Sequence, residues 1–128
     1  MNAFVRILKI LLFLAYVACL AWLCFGNFEP DPKIPRTLLG IPIDKCVHFL
    51  MFLPFPVLGT LAFRERSWWR TLCWMTLAAN LIATLFETFQ TRINPERCTD
   101  PADLNANLLG ITTGLLIMAL IGLISKKK

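Results

Sequence analysis

The sequence predicts an all-α membrane protein with four transmembrane helices, and three observations carry that prediction. Apolar residues make up 57% of the chain and charged residues only 16%, against roughly half and a quarter in a soluble domain. The apolar residues gather into four blocks, at about residues 4–25, 46–63, 71–90 and 104–124. At about 1.5 Å per residue, each block approaches the length that crosses a hydrocarbon core of roughly 30 Å. Basic residues collect at the block ends instead of lying along a stripe. A single transmembrane domain over residues 1–128 is therefore expected.

The first block opens with Arg6 and Lys9 and runs apolar to Phe25. A basic start before an apolar run also describes a cleavable signal, but no A-x-A site closes this one and the run is long for such a segment. It reads as the first span, with Trp22 at its outer interface. The stretch "GNFEPDPKIPRTLLGIPIDK" follows, carrying Pro30, Pro32, Pro35 and Pro42. Proline blocks regular helix and favours extended, solvent-exposed chain, so this loop suits a cover over the outer surface. Asp44 reads as the N-cap of the second helix. Pro54 and Pro56 lie inside that helix, and each removes an amide donor, so a kink is expected there. The carbonyls they free need neighbours, which turns this part of the helix toward protein.

"RERSWWR" is a tight inner turn into the third helix, with Trp68, Trp69 and Trp74 marking an interface. Asn80, Thr84, Glu87 and Thr91 share one stripe of that helix, as Asp103, Asn107, Gly110 and Gly114 do in the fourth. Gly110 and Gly114 have the small-xxx-small spacing of a close helix contact.

Charge sets the orientation. Arg6, Lys9, Arg64, Arg66, Arg70, Lys126, Lys127 and Lys128 fall on one side of the predicted topology. On the other side, Lys33, Arg36, Lys45, Arg92 and Arg97 are offset by Glu29, Asp31, Asp44, Glu96, Asp100 and Asp103. Positive residues stay inside, so both termini are expected in the cytoplasm, in a multi-pass protein of the bacterial cytoplasmic (inner) membrane. The net charge of +5 forms no basic stripe interleaved with aromatics, which excludes nucleic acid as a partner. Cys19, Cys24 and Cys73 read as packing residues. Cys46 and Cys98 both fall on the expected outer face, where a disulfide between them stays open. The cysteine spacing matches no zinc motif, and neither a metal site nor a cofactor is assigned.

Placed on this topology, Asp44, Lys45 and His48 occupy the outer end of the second helix. Glu87 and Gln90 lie at the outer end of the third, Arg97, Asp100 and Asp103 around the last outer loop, and Asn107 one turn into the fourth. Ionisable groups meeting at the lip of a bilayer are costly unless they pair or face water. A polar site shared by three helices is expected.

The series "DKCVHF", "ETFQ" and "RCTDPADLNANLLGITTG" resembles the VanZ-like family of small bacterial membrane proteins. That family's pattern is D-K-x-x-H-F, then E-x-x-Q, then R-x-x-D-x-x-D-x-x-x-N-x-x-G. It matches Asp44, Lys45, His48, Phe49, Glu87, Gln90, Arg97, Asp100, Asp103, Asn107 and Gly110, over most of the chain after the first helix. The resemblance implies a relation to glycopeptide (teicoplanin) resistance for the founding member and supplies no biochemical activity.

Plain structural roles stand beside these. Asp44 can cap the helix and, four residues on, reach His48. Glu87 can form a buried ion pair with Arg97 or Lys45 that locks helix register. Gln90 and Asn107 read equally as interhelical glue and as substrate contacts. Three functional classes follow. The first is binding of membrane lipids or a lipid-linked envelope precursor by an outer pocket, with Arg97 and Lys45 as headgroup anchors and Asp44, Gln90, Asp100 and Asn107 as further contacts. The second is an intramembrane hydrolase or transferase on a lipid-linked substrate, with His48 and Glu87 as base and acid and Asp103 as orienter or metal ligand. The third is a structural partner of a membrane complex, in an oligomeric state the sequence leaves open. Binding is favoured narrowly over catalysis.

Overall fold

The computed structural model describes residues 2–28, 31–64 and 67–126. Glu29, Pro30, Arg66, Lys127 and Lys128, which enter the loop and charge readings above, lie outside the described residues. The elements run α1 (Ala3–Phe25), β1 (Thr37–Leu38), β2 (Ile41–Pro42), α2 (Ile43–Phe52), α3 (Pro54–Ala62), α4 (Trp68–Ile93) and α5 (Pro101–Ser125). Four helical stretches are long and apolar enough to cross a membrane, with α2 and α3 together forming the second, Ile43–Ala62.

Local chemistry sets the ends of these helices. Ser67 and Asp100 cap α4 and α5 by accepting from the amides of Arg70 and Ala102. Pro101 follows in the first turn, where its missing N–H costs nothing. α2 begins differently from the expectation. Its N-cap is Pro42, without a side-chain cap bond, and Asp44 lies in the first turn. Pro42 has no side-chain acceptor to offer, and Asp44 pairs with Lys45 at 3.0 Å instead.

The helix breaks between α2 and α3 at Leu53, one residue before Pro54, while Leu53 keeps right-handed helical dihedrals. Pro54 and Pro56 withhold the N–H groups that a continuous helix would donate. In the interrupted turn, the Tyr16 hydroxyl of α1 donates to the Met51 carbonyl at 2.5 Å. Phe52, Phe55 and Pro56 are buried, so this stretch faces the other helices, as a freed carbonyl in lipid requires.

The core is aromatic at its centre, where Phe13 meets Phe55 and Phe63 edge-on. Small residues on the other helices let the backbones close in. Ala79 and Ala83 of α4 are fully buried. A Cβ on Gly110 of α5 would collide with the Phe49 carbonyl, and one on Gly114 with the Leu53 carbonyl and the Pro56 ring. Large apolar side chains such as Leu77, Leu81, Leu116 and Leu120 are exposed along the outside, as a lipid-facing surface requires.

The proline-rich loop holds a feature the sequence reading missed. Thr37–Leu38 and Ile41–Pro42 pair antiparallel across Leu39 and Gly40, both at positive φ. That is the twist a two-residue hairpin needs. The usual Asn-Gly or Asp-Gly signal is lacking, and Leu39 takes the strained position at a tip where it is 96% exposed. All five cysteines are free thiols, Cys46 and Cys98 included.

Candidate functional site

The close approach at Gly110 sets the register of α5 against α2. Gly110 lies on the Phe49 backbone, so Asn107, one turn earlier, comes opposite His48, and Asp103 comes opposite Lys45. His48 Nδ1 is 3.0 Å from Asn107 Oδ1, and His48 Nε2 is 3.5 Å from Asp103 Oδ2. The Lys45 ammonium sits among three carboxylates: Asp44 at 3.0 Å, Asp100 at 2.5 Å, and Asp103 in direct contact. From α4, Glu87 brings a carboxylate that is 4% exposed and accepts the Asp100 backbone N–H at 2.8 Å. Thr99 donates to the Glu87 carbonyl and touches the Thr91 hydroxyl, tying the last loop back onto α4.

Side-chain exposure falls from 58% at Asp44 and 44% at Asp100, through 19% at Lys45 and 13% at Asp103, to 8% at His48. The cluster thus opens at Asp44 and Asp100 and closes at His48, with Asn107 buried beside it. The Lys45 ammonium at its carboxylate holds Asp100 below the usual carboxylate range. Among the described residues, the carboxylates of Asp44, Asp100 and Asp103 share one ammonium, that of Lys45, and the Glu87 carboxyl has no lysine or arginine partner. One ligand atom from each of His48, Glu87 and Asp103 lies within 4.8 Å of the other two. Acids scattered over a loop and three helices in the sequence are gathered here.

Arg97 and Gln90 occupy a second polar group at the same end of the bundle. Arg97 Nη1 donates to the carbonyls of Leu23, Cys24 and Gly26 at 3.1, 2.7 and 3.3 Å. Gln90 Nε2 donates to Cys24 at 3.0 Å, and Asn94 Nδ2 to Phe25 at 3.3 Å. A helix leaves its last carbonyls without intrahelical donors, and these three side chains supply donors for residues 23–26. The ion pair between Glu87 and Arg97 or Lys45 does not form among the described residues. Arg97 is turned to α1, and Lys45 to Asp44, Asp100 and Asp103. Asn94 was missed by the sequence reading, although it follows Gln90 by one helical turn and so lies on the same face.

Two clefts of similar size lie outside the cluster, one under the proline-rich loop between Asp31 and Ile43 and one on α4. One apolar groove of about 370 Å³ is lined by Leu72, Cys73, Thr76, Asn80 and Leu115 among others. There, Thr76 and Asn80 return their hydrogen bonds to their own helix, to Leu72 and Thr76, and present no convergent polar groups.

Comparison with curated proteins and with solved structures returns no match. The family model described as VanZ/LLP1 matches residues 13–122, a span that takes in the second and third membrane-length stretches whole, the later half of the first, most of the fourth, and every residue of both polar groups. On that match, the chain belongs to the VanZ/LLP1 family.

Proposed function

We propose that this protein lies in the bacterial cytoplasmic membrane with both termini inside, and binds the glycosylated headgroup of a lipid-linked envelope precursor in its outer polar niche. One observation carries the reading: three membrane-length stretches bring His48, Glu87, Asp103 and Asn107 together in a mostly buried cluster that opens toward Asp44 and Asp100. Ionisable groups at membrane depth are costly, and a cluster holding more carboxylates than ammonium partners points to a ligand. The surplus of carboxylates suits hydroxyl and amine donors, as sugars and aminosugars present them, and disfavours a bare anion. Arg97, engaged with α1, then acts on the fold, and the contacts come from Asp44, Asp100, Asp103, His48 and Asn107, with Lys45 holding the acids in place. Sequestering the precursor would reduce glycopeptide access to it, which links this reading to teicoplanin resistance.

The test is mass spectrometry of lipids copurified after mild extraction. Wild type is expected to carry a lipid-linked glycan, and Asp103→Asn and Glu87→Gln to lose it while accumulating normally. Wild type without any such lipid would contradict the reading. A reporter fused at Lys128 is expected to be active in the cytoplasm only, and deletion of the gene to lower teicoplanin tolerance.

A second reading is favoured by the ligand-atom spacing of His48, Glu87 and Asp103, all within 4.8 Å. At that spacing a base and an acid can act on one bound group, in hydrolysis or transfer on a lipid-linked substrate. Turnover of a labelled precursor by wild type and not by Glu87→Gln would decide for catalysis.

A further inference from the structure

His48 determines what the niche can hold. With the Asn107 amide oxygen at its Nδ1, that nitrogen carries the hydrogen, because an amide oxygen only accepts. In the neutral ring, Nε2 is then a bare lone pair, and it faces Asp103 Oδ2 at 3.5 Å. The Glu87 carboxylate completes the group, with one oxygen held by the Asp100 amide. Three lone-pair donors from three helices converge, and the Lys45 ammonium sits on the other oxygen of Asp103, Oδ1, leaving Oδ2 to face the ring.

We propose that His48, Glu87 and Asp103 bind a divalent transition-metal ion of the Zn²⁺ or Mn²⁺ class. One imidazole and two carboxylates form the mixed nitrogen and oxygen set such ions accept. Ligand atoms at roughly 2.1 Å from a common ion stand about 3.4 Å apart in a tetrahedral shell, so small side-chain rotations close this set. Each ligand also has an orienting partner: Asn107 fixes the ring of His48, Lys45 holds Asp103, and the Asp100 amide holds Glu87. Resident metal sites carry such a supporting layer, and chance clusters of surface acids lack it. Three protein ligands leave a coordination position free. Resting on the headgroup reading, that position takes a phosphate oxygen of the lipid-linked precursor, an anion the carboxylates alone would repel.

The test uses full-length protein in detergent, stripped with a chelator and titrated with ZnCl₂ and with MnCl₂, with bound metal counted by elemental analysis. Wild type is expected to bind one ion per chain. His48→Ala and Asp103→Asn are expected to weaken binding at least a hundredfold, and Asn107→Ala about tenfold, in line with lost orienting partners. Asp31→Asn, an exposed carboxylate elsewhere, is expected to bind as wild type does. Stoichiometric uptake that survives His48→Ala or Asp103→Asn, or no uptake by wild type, overturns the proposal. Should those variants fail to fold, Co²⁺ added to wild type decides: visible d–d bands support the site, and their absence overturns it. Metal uptake without copurified lipid keeps the metal site and removes the headgroup reading, so the two fail separately.

Discussion

Two polar groups share one end of this bundle, and they solve different problems. Around residues 23–26, Arg97, Gln90 and Asn94 donate to carbonyls that α1 would otherwise leave unmet. There, Arg97 Nη1, Gln90 Nε2 and Asn94 Nδ2 meet the carbonyls of residues 23–26 directly. Around His48, the carboxylates of Asp44, Asp100 and Asp103 share the one Lys45 ammonium, the Glu87 carboxyl stands beside them, and the ring Nε2 faces a carboxylate oxygen of Asp103. A matched group holds a fold together, whereas a group with surplus charge is held together by the fold. The contrast separates residues that a family motif places side by side, since Gln90 and Arg97 belong to one group and Glu87 and Asp100 to the other.

The largest expected effect falls on the contact that positions the second group. Gly110→Leu would drive a side chain into the Phe49 backbone and separate α5 from α2. Overpacking against backbone that cannot yield costs about 3 kcal/mol or more. Reduced accumulation and loss of bound ligand are expected together, read by quantitative blotting and by copurification. Normal accumulation with an intact ligand site would show that the register is set elsewhere.

Arg97→Ala comes next. Hydrogen bonds from a charged donor contribute about 1.5–3 kcal/mol each, and they overlap when one group makes several. A loss of about 3 kcal/mol is expected in thermal unfolding, with ligand binding per folded molecule unchanged. Loss of binding in protein that remains folded would move Arg97 into the site and blur the contrast. Asn94→Ala removes one neutral bond to Phe25 and should cost about 1 kcal/mol, measured in the same way.

Much of this arrangement was legible in the sequence. The four spans follow from block length and hydropathy, and the stripes of Glu87 and Asn107 follow from helical period. Convergence of Lys45, His48, Glu87 and Asp103 at one depth needs only alternating span direction. Partner choice was not legible. Whether Arg97 turns to Glu87 or to the end of α1 depends on where residues 23–26 terminate, which is a tertiary fact. The cap of α2 was misjudged because Asp44 finds Lys45 beside it, and the hairpin at Leu39 and Gly40 lacks the residues that usually announce one. The acids appear scattered in sequence because a loop between helices separates neighbours in number that the close contact at Gly110 brings together in space.

The smallest stability effect is expected from Glu87→Gln, and it bears most directly on the contrast. Glutamine keeps an oxygen for the Asp100 amide while removing one negative charge from a group with too many. Thermal unfolding of Glu87→Gln beside Arg97→Ala, both metal-free and in the same detergent, is the measurement that decides. Glu87→Gln is expected to melt at or above the wild-type temperature, within about 0.5 kcal/mol or on the stabilising side, and Arg97→Ala well below it. A Glu87→Gln protein that melts as low as Arg97→Ala would show that the carboxylate cluster is part of what holds the helices together, and the separation of site from scaffold would fall.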